Sequence, residues 1–75
     1  MKDLVLFVAQ SLVDNKEAVT ISETEGPEAV ILELHVAPED MGKVIGKQGR
    51  IAKAIRAVVR AATQKNQKPV FVEIQ

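Results

Sequence analysis

The spacing of apolar residues along the chain changes from helical to alternating and back again. In residues 3–14, Leu4, Phe7, Val8 and Leu12 share one face at helical spacing. Asp3 is a plausible N-cap there, and Asp14-Asn15 a natural stop, which predicts a first helix. From Ala18 to Glu23 the period drops to two: Val19 and Ile21 point one way, Thr20 and Ser22 the other. Glu25-Gly26-Pro27-Glu28 reads as a turn. Alternation resumes from Val30 to Val36, with Val30, Leu32, Leu34 and Val36 opposed by Ile31, Glu33 and His35. These two strands predict an antiparallel hairpin with one covered face.

Pro38 suits the first turn of a short helix, and Glu39 and Asp40 suit its dipole. That helix runs to about Val44 or Ile45, where Gly46 to Gly49 breaks it. A longer helix follows, from about Arg50 to Gln64. Its apolar stripe is Ile51, Ile55, Val58, Val59 and Ala62, with Arg50, Lys53, Arg56 and Arg60 roughly opposite. Lys65 to Pro69 stops it, and Val70 to Ile74 makes a third strand, with Phe71 and Glu73 on its other face. Phe7 and Phe71 are assigned to the core. The order α-β-β-α-α-β predicts an α+β fold: a three-stranded mixed sheet with three helices on one face. The second and third strands, joined by a helical crossover, are expected to be parallel.

Composition adds limits. The 75 residues suit one small domain. A core of that size contributes only about 3–5 kcal/mol, so a partner subunit would be a natural support. There is no cysteine, which excludes disulfides and thiol chemistry. The lone histidine, His35, builds neither a metal site nor a triad. No carboxylate pair or nucleophile–base pair stands out, so no enzymatic activity, metal or cofactor is expected. The apolar run after Met1-Lys2-Asp3 is interrupted by Gln10 and Ser11 and lacks a small-residue cleavage site; a cytoplasmic protein without membrane association is expected.

Charge changes the picture more than composition does. The formal net charge is zero, but nine of the ten acids lie in residues 1–40, with only Lys2 and Lys16 as bases. Residues 41–72 carry eight bases and no acid. A chain divided in this way can hold a basic face while staying neutral overall, and such faces meet anionic partners.

The candidate chemistry lies at the start of the basic half, in Val44-Ile45-Gly46-Lys47-Gln48-Gly49-Arg50-Ile51. A dinucleotide fingerprint needs G-x-G-x-x-G after a strand, whereas Gly42, Gly46 and Gly49 give G-x-x-x-G-x-x-G after a helix. A phosphate-binding loop of the Walker A kind needs one more residue between Gly42 and Gly46-Lys47, and Ser or Thr in place of Gln48. Helix–GxxG–helix has a different logic. Two glycines allow close approach of a sugar-phosphate backbone, and the helix beginning near Arg50 aims its free N–H groups at the loop.

This stretch resembles the signature of the KH (K-homology) domain, and the element order resembles its type II, prokaryotic form. With Ala37-Pro38-Glu39-Asp40 before the short helix and Arg60-Ala61-Ala62 late in the long one, residues 1–75 are similar to the small bacterial KhpA family of RNA-binding proteins, as a single KH domain. The resemblance implies a non-enzymatic binder of single-stranded RNA, acting as an RNA chaperone or post-transcriptional regulator. KH domains clamp about four nucleotides with the GxxG loop. Here the clamp would be Gly46, Lys47, Gln48 and Gly49, flanked by Lys43 and Arg50. The bases would lie on Val44, Ile45, Ile51 and third-strand residues, with Lys53 a turn further along. Ile51 and Ile55 belong foremost to the core, Ile51 with a share in the groove. Arg56 and Arg60 are read as a solvated face that adds long-range attraction. The resemblance further implies a homodimer, or a heterodimer with a larger KH-containing protein (KhpB, also called Jag). The alternatives are a KH-fold protein-interaction module and a binder of single-stranded DNA.

Overall fold

The computed structural model describes all of residues 1–75. Helix α1 spans Lys2–Leu12, strand β1 Thr20–Glu25, β2 Val30–His35, α2 Met41–Ile45, α3 Arg50–Ala62 and β3 Val70–Ile74. Single 3-10 turns precede β1, α2 and α3. The predicted order holds. The sheet runs β1-β2-β3, antiparallel across the hairpin and parallel between β2 and β3.

Alternation decides which sheet face is covered. Ile21, Leu34 and Ile74 stand in one row, and Leu32 beside Val72 in the next. Leu32, Leu34 and Val72 are buried against Val5, Ala9, Val44 and Val59 from the three helices and Val13 just beyond α1. The other face carries Ile31, His35, Phe71 and Glu73, all exposed. All three helices therefore pack on one side, as one shared core requires.

Several boundaries and faces differ from the sequence reading. Helix α1 starts one residue earlier, with Met1 at the N-cap, and Asp3 sits inside the first turn where its charge suits the dipole. It ends at Leu12, because Val13 is extended and Asp14 and Asn15 bond elsewhere. The buried stripe of α1 is Val5 and Ala9, rotated by one residue from the expected Leu4 and Val8. That rotation turns Phe7 nearly opposite to the core, and it is 69% exposed. Phe71 is 56% exposed, since strand alternation sends it to the uncovered face. Neither phenylalanine is a core residue. In α3 the buried positions are Ala52, Ile55 and Val59, while Val58 is 48% exposed and Ala62 lies outside. Helix α3 stops at Ala62, two residues early. Thr63 turns extended, and its hydroxyl donates back to the Val59 carbonyl at 2.8 Å. Strand β1 is displaced by two residues, because a 3-10 turn occupies Lys16–Ala18. No helix is long and apolar enough to cross a membrane.

Leu34 is wholly enclosed, so Leu34→Ala is expected to cost about 2–5 kcal/mol. That approaches the entire stability of a domain this small. Urea unfolding in dilute solution should find the variant largely unfolded at low denaturant. Phe7→Ser should stay within about 0.5 kcal/mol of the parent.

Candidate nucleic-acid interface

The loop between α2 and α3 is shaped by backbone conformations that favour glycine. Gly46 has φ 77° and ψ 172°, and Gly49 has φ 73° and ψ 16°. Gln48 between them is also left-handed, at φ 59°. At Gly46 there is a second constraint. A Cβ there would lie 2.6 Å from Ile51 Cγ1 and 2.9 Å from Ile51 Cβ, closer than real carbons approach. Gly49 faces open space and needs glycine for its backbone angles alone. Main-chain bonds close the turn: Gly46 N–H donates to Gly42 at 2.8 Å, and Gly49 N–H to Gly46 at 3.1 Å.

Around this turn the side chains of Lys47, Gln48 and Arg50 are exposed. Arg50 reaches back to the Gln48 side-chain oxygen at 3.4 Å. Gly49 is the N-cap of α3 and no side-chain hydrogen bond caps the helix; its first N–H, that of Arg50, donates to the Lys47 carbonyl, and its positive dipole end lies beside a basic rim. Ile45 and Ile51 are half-buried at its foot, and Lys53 is exposed one turn along α3. Val44 is different. It is 0% exposed, so it supports the turn from inside the core and offers no surface to a ligand.

Lys43 is also placed differently from a free phosphate contact. Its ammonium pairs with Asp14 and, at 3.3 Å, with Asp40. Asp40 is only 1% exposed, and its carboxylate accepts the backbone N–H groups of Asn15 at 3.0 Å and Asp14 at 3.3 Å. This tie joins the start of α2 to the end of α1. The sequence reading gave Asp40 a role at the helix dipole only; the available signal was an acid after Pro38 with a lysine three residues later. The Asn15 N–H is the main cause that holds the Asp40 carboxyl below its usual range. Burial opposes it, and the Asp14 N–H and Lys43 reinforce it. The bond to Asp14 raises the Lys43 ammonium, against burial and with help from Asp40.

Lys68 is likewise engaged, with Glu25 at 2.7 Å and the Gly26 carbonyl at 2.9 Å. The acidic half thus neutralises two of the eight bases. The other six, Lys47, Arg50, Lys53, Arg56, Arg60 and Lys65, form no ion pair. All six lie on the glycine turn, on α3 or just beyond it. Arg56 is not simply solvated, as its Nε donates to the Val72 carbonyl at 3.3 Å and ties α3 to β3. No group of three or more His, Asp or Glu side chains comes together to hold a metal ion.

Helix–GxxG–helix laid on a mixed sheet in the order α-β-β-α-α-β defines a KH domain of type II. Similarity to known proteins narrows this class. The family model for the KhpA/KhpB KH domain matches residues 2–74, and the chain belongs to that family. It is 65% identical to the RNA-binding protein KhpA of Clostridium perfringens over 74 residues, covering 99% of each chain. Identity to the RNA-binding protein KhpA of Caldanaerobacter subterraneus is 60%, again over 99% of each chain. It is 50% to the namesake in Aquifex aeolicus, over 99% of this chain and 94% of that one. No solved structure matches the chain.

Two outcomes follow for the isolated protein. Gly46→Ala should lower stability more than Gly49→Ala, because it meets Ile51 as well as the left-handed penalty of about 1–2 kcal/mol. Urea midpoints of the two variants measure the difference. A depressed Asp40 contributes stability that is full above the ordinary carboxylate pKa and is lost as pH falls through its lowered value. The melting temperature should therefore hold at neutral pH and fall below about pH 4. In Asp40→Asn it should start lower at pH 7 and show a smaller acid decline.

Proposed function

We propose that the protein binds single-stranded RNA without catalysis, using Gly46, Lys47, Gln48 and Gly49 as a clamp on about four nucleotides of backbone. The observation that carries this reading is the glycine turn itself. It has left-handed backbone angles and three exposed polar or basic side chains, and it abuts an uncapped helix N-terminus. Lys47 and Arg50 supply charge to phosphates, and the N-terminal end of α3 adds its positive dipole. Ile45 and Ile51 offer apolar contact to bases. Lys53 extends the basic surface. Lys43 contributes to the local field while bound to Asp14 and Asp40. The names of the relatives support RNA over single-stranded DNA as the ligand. A role as an RNA chaperone or post-transcriptional regulator in the cytoplasm accords with one small clamp of limited contact area.

Dimerisation belongs to the same proposal. Leu4, Val8 and Leu12 of α1 face Ile51, Ala54 and Val58 of α3 across an apolar groove of about 300 Å³. A second KH domain with the same face, from this chain or from a KhpB-like protein, would cover it and bring two clamps together, which raises avidity. The same groove favours a second reading, a protein-interaction module that does not hold RNA. Crosslinking in cells separates the two: a stable protein complex free of RNA supports the second.

The direct test is binding of short single-stranded RNA by the parent and by a Lys47→Asp, Gln48→Asp double variant. The variant should stay folded by circular dichroism and lose about tenfold or more in affinity, with a shallower salt dependence. Equal binding by a folded variant removes the clamp. A flat salt response of the parent counts against phosphate recognition.

A further inference from the structure

The helices cover one face of the sheet and leave the other bare. Register sets the side chains of the bare face in rows across the three strands. Thr24, Ile31 and Phe71 form one row, and Ser22, Glu33 and Glu73 the next. Two residues along each strand separate the rows, about 6.6 Å. Ile31 and Phe71 are cross-strand neighbours, and they are the only large apolar side chains exposed on the sheet. Glu33 and Glu73 are neighbours too, and like charges so placed repel each other. Neither has an ion-pair partner; the Gln75 amide donates to Glu33 at 3.1 Å. The chain has ten Lys and Arg residues, and none stands in these rows. Elsewhere the fold pairs Asp14, Asp40 and Glu25 with lysines, so the two bare-face carboxylates are left without a cation.

We propose that the bare sheet face docks a cationic segment of another protein, with an apolar side chain of the segment on Ile31 and Phe71 and its Lys or Arg side chains on Glu33 and Glu73. An apolar row beside an unpaired acidic row complements an apolar anchor flanked by cations. A guanidinium over the exposed Phe71 ring gains a cation–π contact as well. The same carboxylates repel a phosphate backbone, which sets this face apart from the glycine turn. Its size suits a segment. Three strands at about 4.8 Å and the paired rows at about 3.3 Å span roughly 14 by 17 Å. That is well short of the ~800 Å² per partner that a stable interface between folded domains buries. A second copy fits less well. Its unpaired bases lie on the glycine turn, on α3 and at Lys65, so the contact would be head-to-tail and would build rings or open chains rather than a pair. The glycine turn belongs to the helical layer on the other side of the sheet, so one chain can hold the segment and RNA together.

The probe is a short synthetic peptide with a central leucine flanked on each side by a pair of arginines, titrated into the full chain and followed by amide NMR. A peptide with glutamates in place of the arginines is the control. The arginine peptide should shift the amides of Thr24, Ile31, Glu33, Phe71 and Glu73, with an affinity that falls as salt rises. The glutamate peptide should leave them in place. Glu33→Lys, whose new cation faces Glu73 and keeps the strand folded, should weaken the arginine peptide about fivefold or more. Ile31→Thr keeps a β-branched residue on β2 and should weaken it by a similar factor. The Lys47→Asp, Gln48→Asp variant should bind the peptide as the parent does, whether or not the clamp holds RNA. Equal binding of both peptides overturns the proposal, as do undiminished affinity in Glu33→Lys and Ile31→Thr or shifts centred on the glycine turn. Salt-sensitive self-association of the parent that Glu33→Lys abolishes makes the occupant a second copy and overturns it. Shifts of the same five amides on addition of single-stranded RNA make the face a nucleic-acid surface and also overturn it.

Discussion

The contact between Gly46 and Ile51 is the constraint on which the interface depends. Ile51 occupies the space that any side chain at position 46 would need. The missing Cβ lets the chain leave α2, reverse through left-handed angles and enter α3 within four residues. Because the turn is that tight, Val44 of α2 and Val59 of α3 both reach the same core over β2 and β3. A longer connection would separate the helices and loosen the basic rim. Here the residues that pack the turn and those that present its charge are adjacent, so the loop is held by the core rather than by a ligand.

The other end of α2 is held by charge. Asp40 is buried, and its carboxylate collects two backbone N–H groups beyond α1 and the Lys43 ammonium. A buried carboxylate without such partners would be costly. With them it fixes where α1 ends and where α2 begins. It also removes Lys43 from the set of free cations. With Lys68 held by Glu25, the unpaired positive charge is confined to the glycine turn, α3 and Lys65. The acidic half of the chain thereby sharpens the basic face of the other half, and net neutrality coexists with a directional field.

Two surfaces of α3 have different characters. One continues the basic rim toward β3. The other adds Ala54 and Val58 to the apolar side chains of α1. Ile51 belongs to both neighbourhoods, since it packs beneath Gly46 and lines the apolar groove. The proposed association through that groove and the shape of the glycine turn therefore share a side chain, which would give a physical route by which pairing of domains bears on the proposed clamp.

The sequence by itself determined the element order, the sheet pairing and the location of the turn. Periodicity is a local property, and a GxxG between two apolar runs is visible without coordinates. It did not determine helix rotation. Leu4 and Val8 fit a helical stripe as well as Val5 and Ala9 do, and only packing against Leu32 and Leu34 selects the second pair. That selection is why Phe7 faces solvent. For Phe71 the alternation was legible, but not which sheet face would remain bare. The roles of Lys43 and Arg56 were hidden for a related reason. Their partners, Asp14 and Val72, lie 29 and 16 residues away in sequence. Which cations stay free is decided by such long-range pairs, and so by the tertiary structure alone.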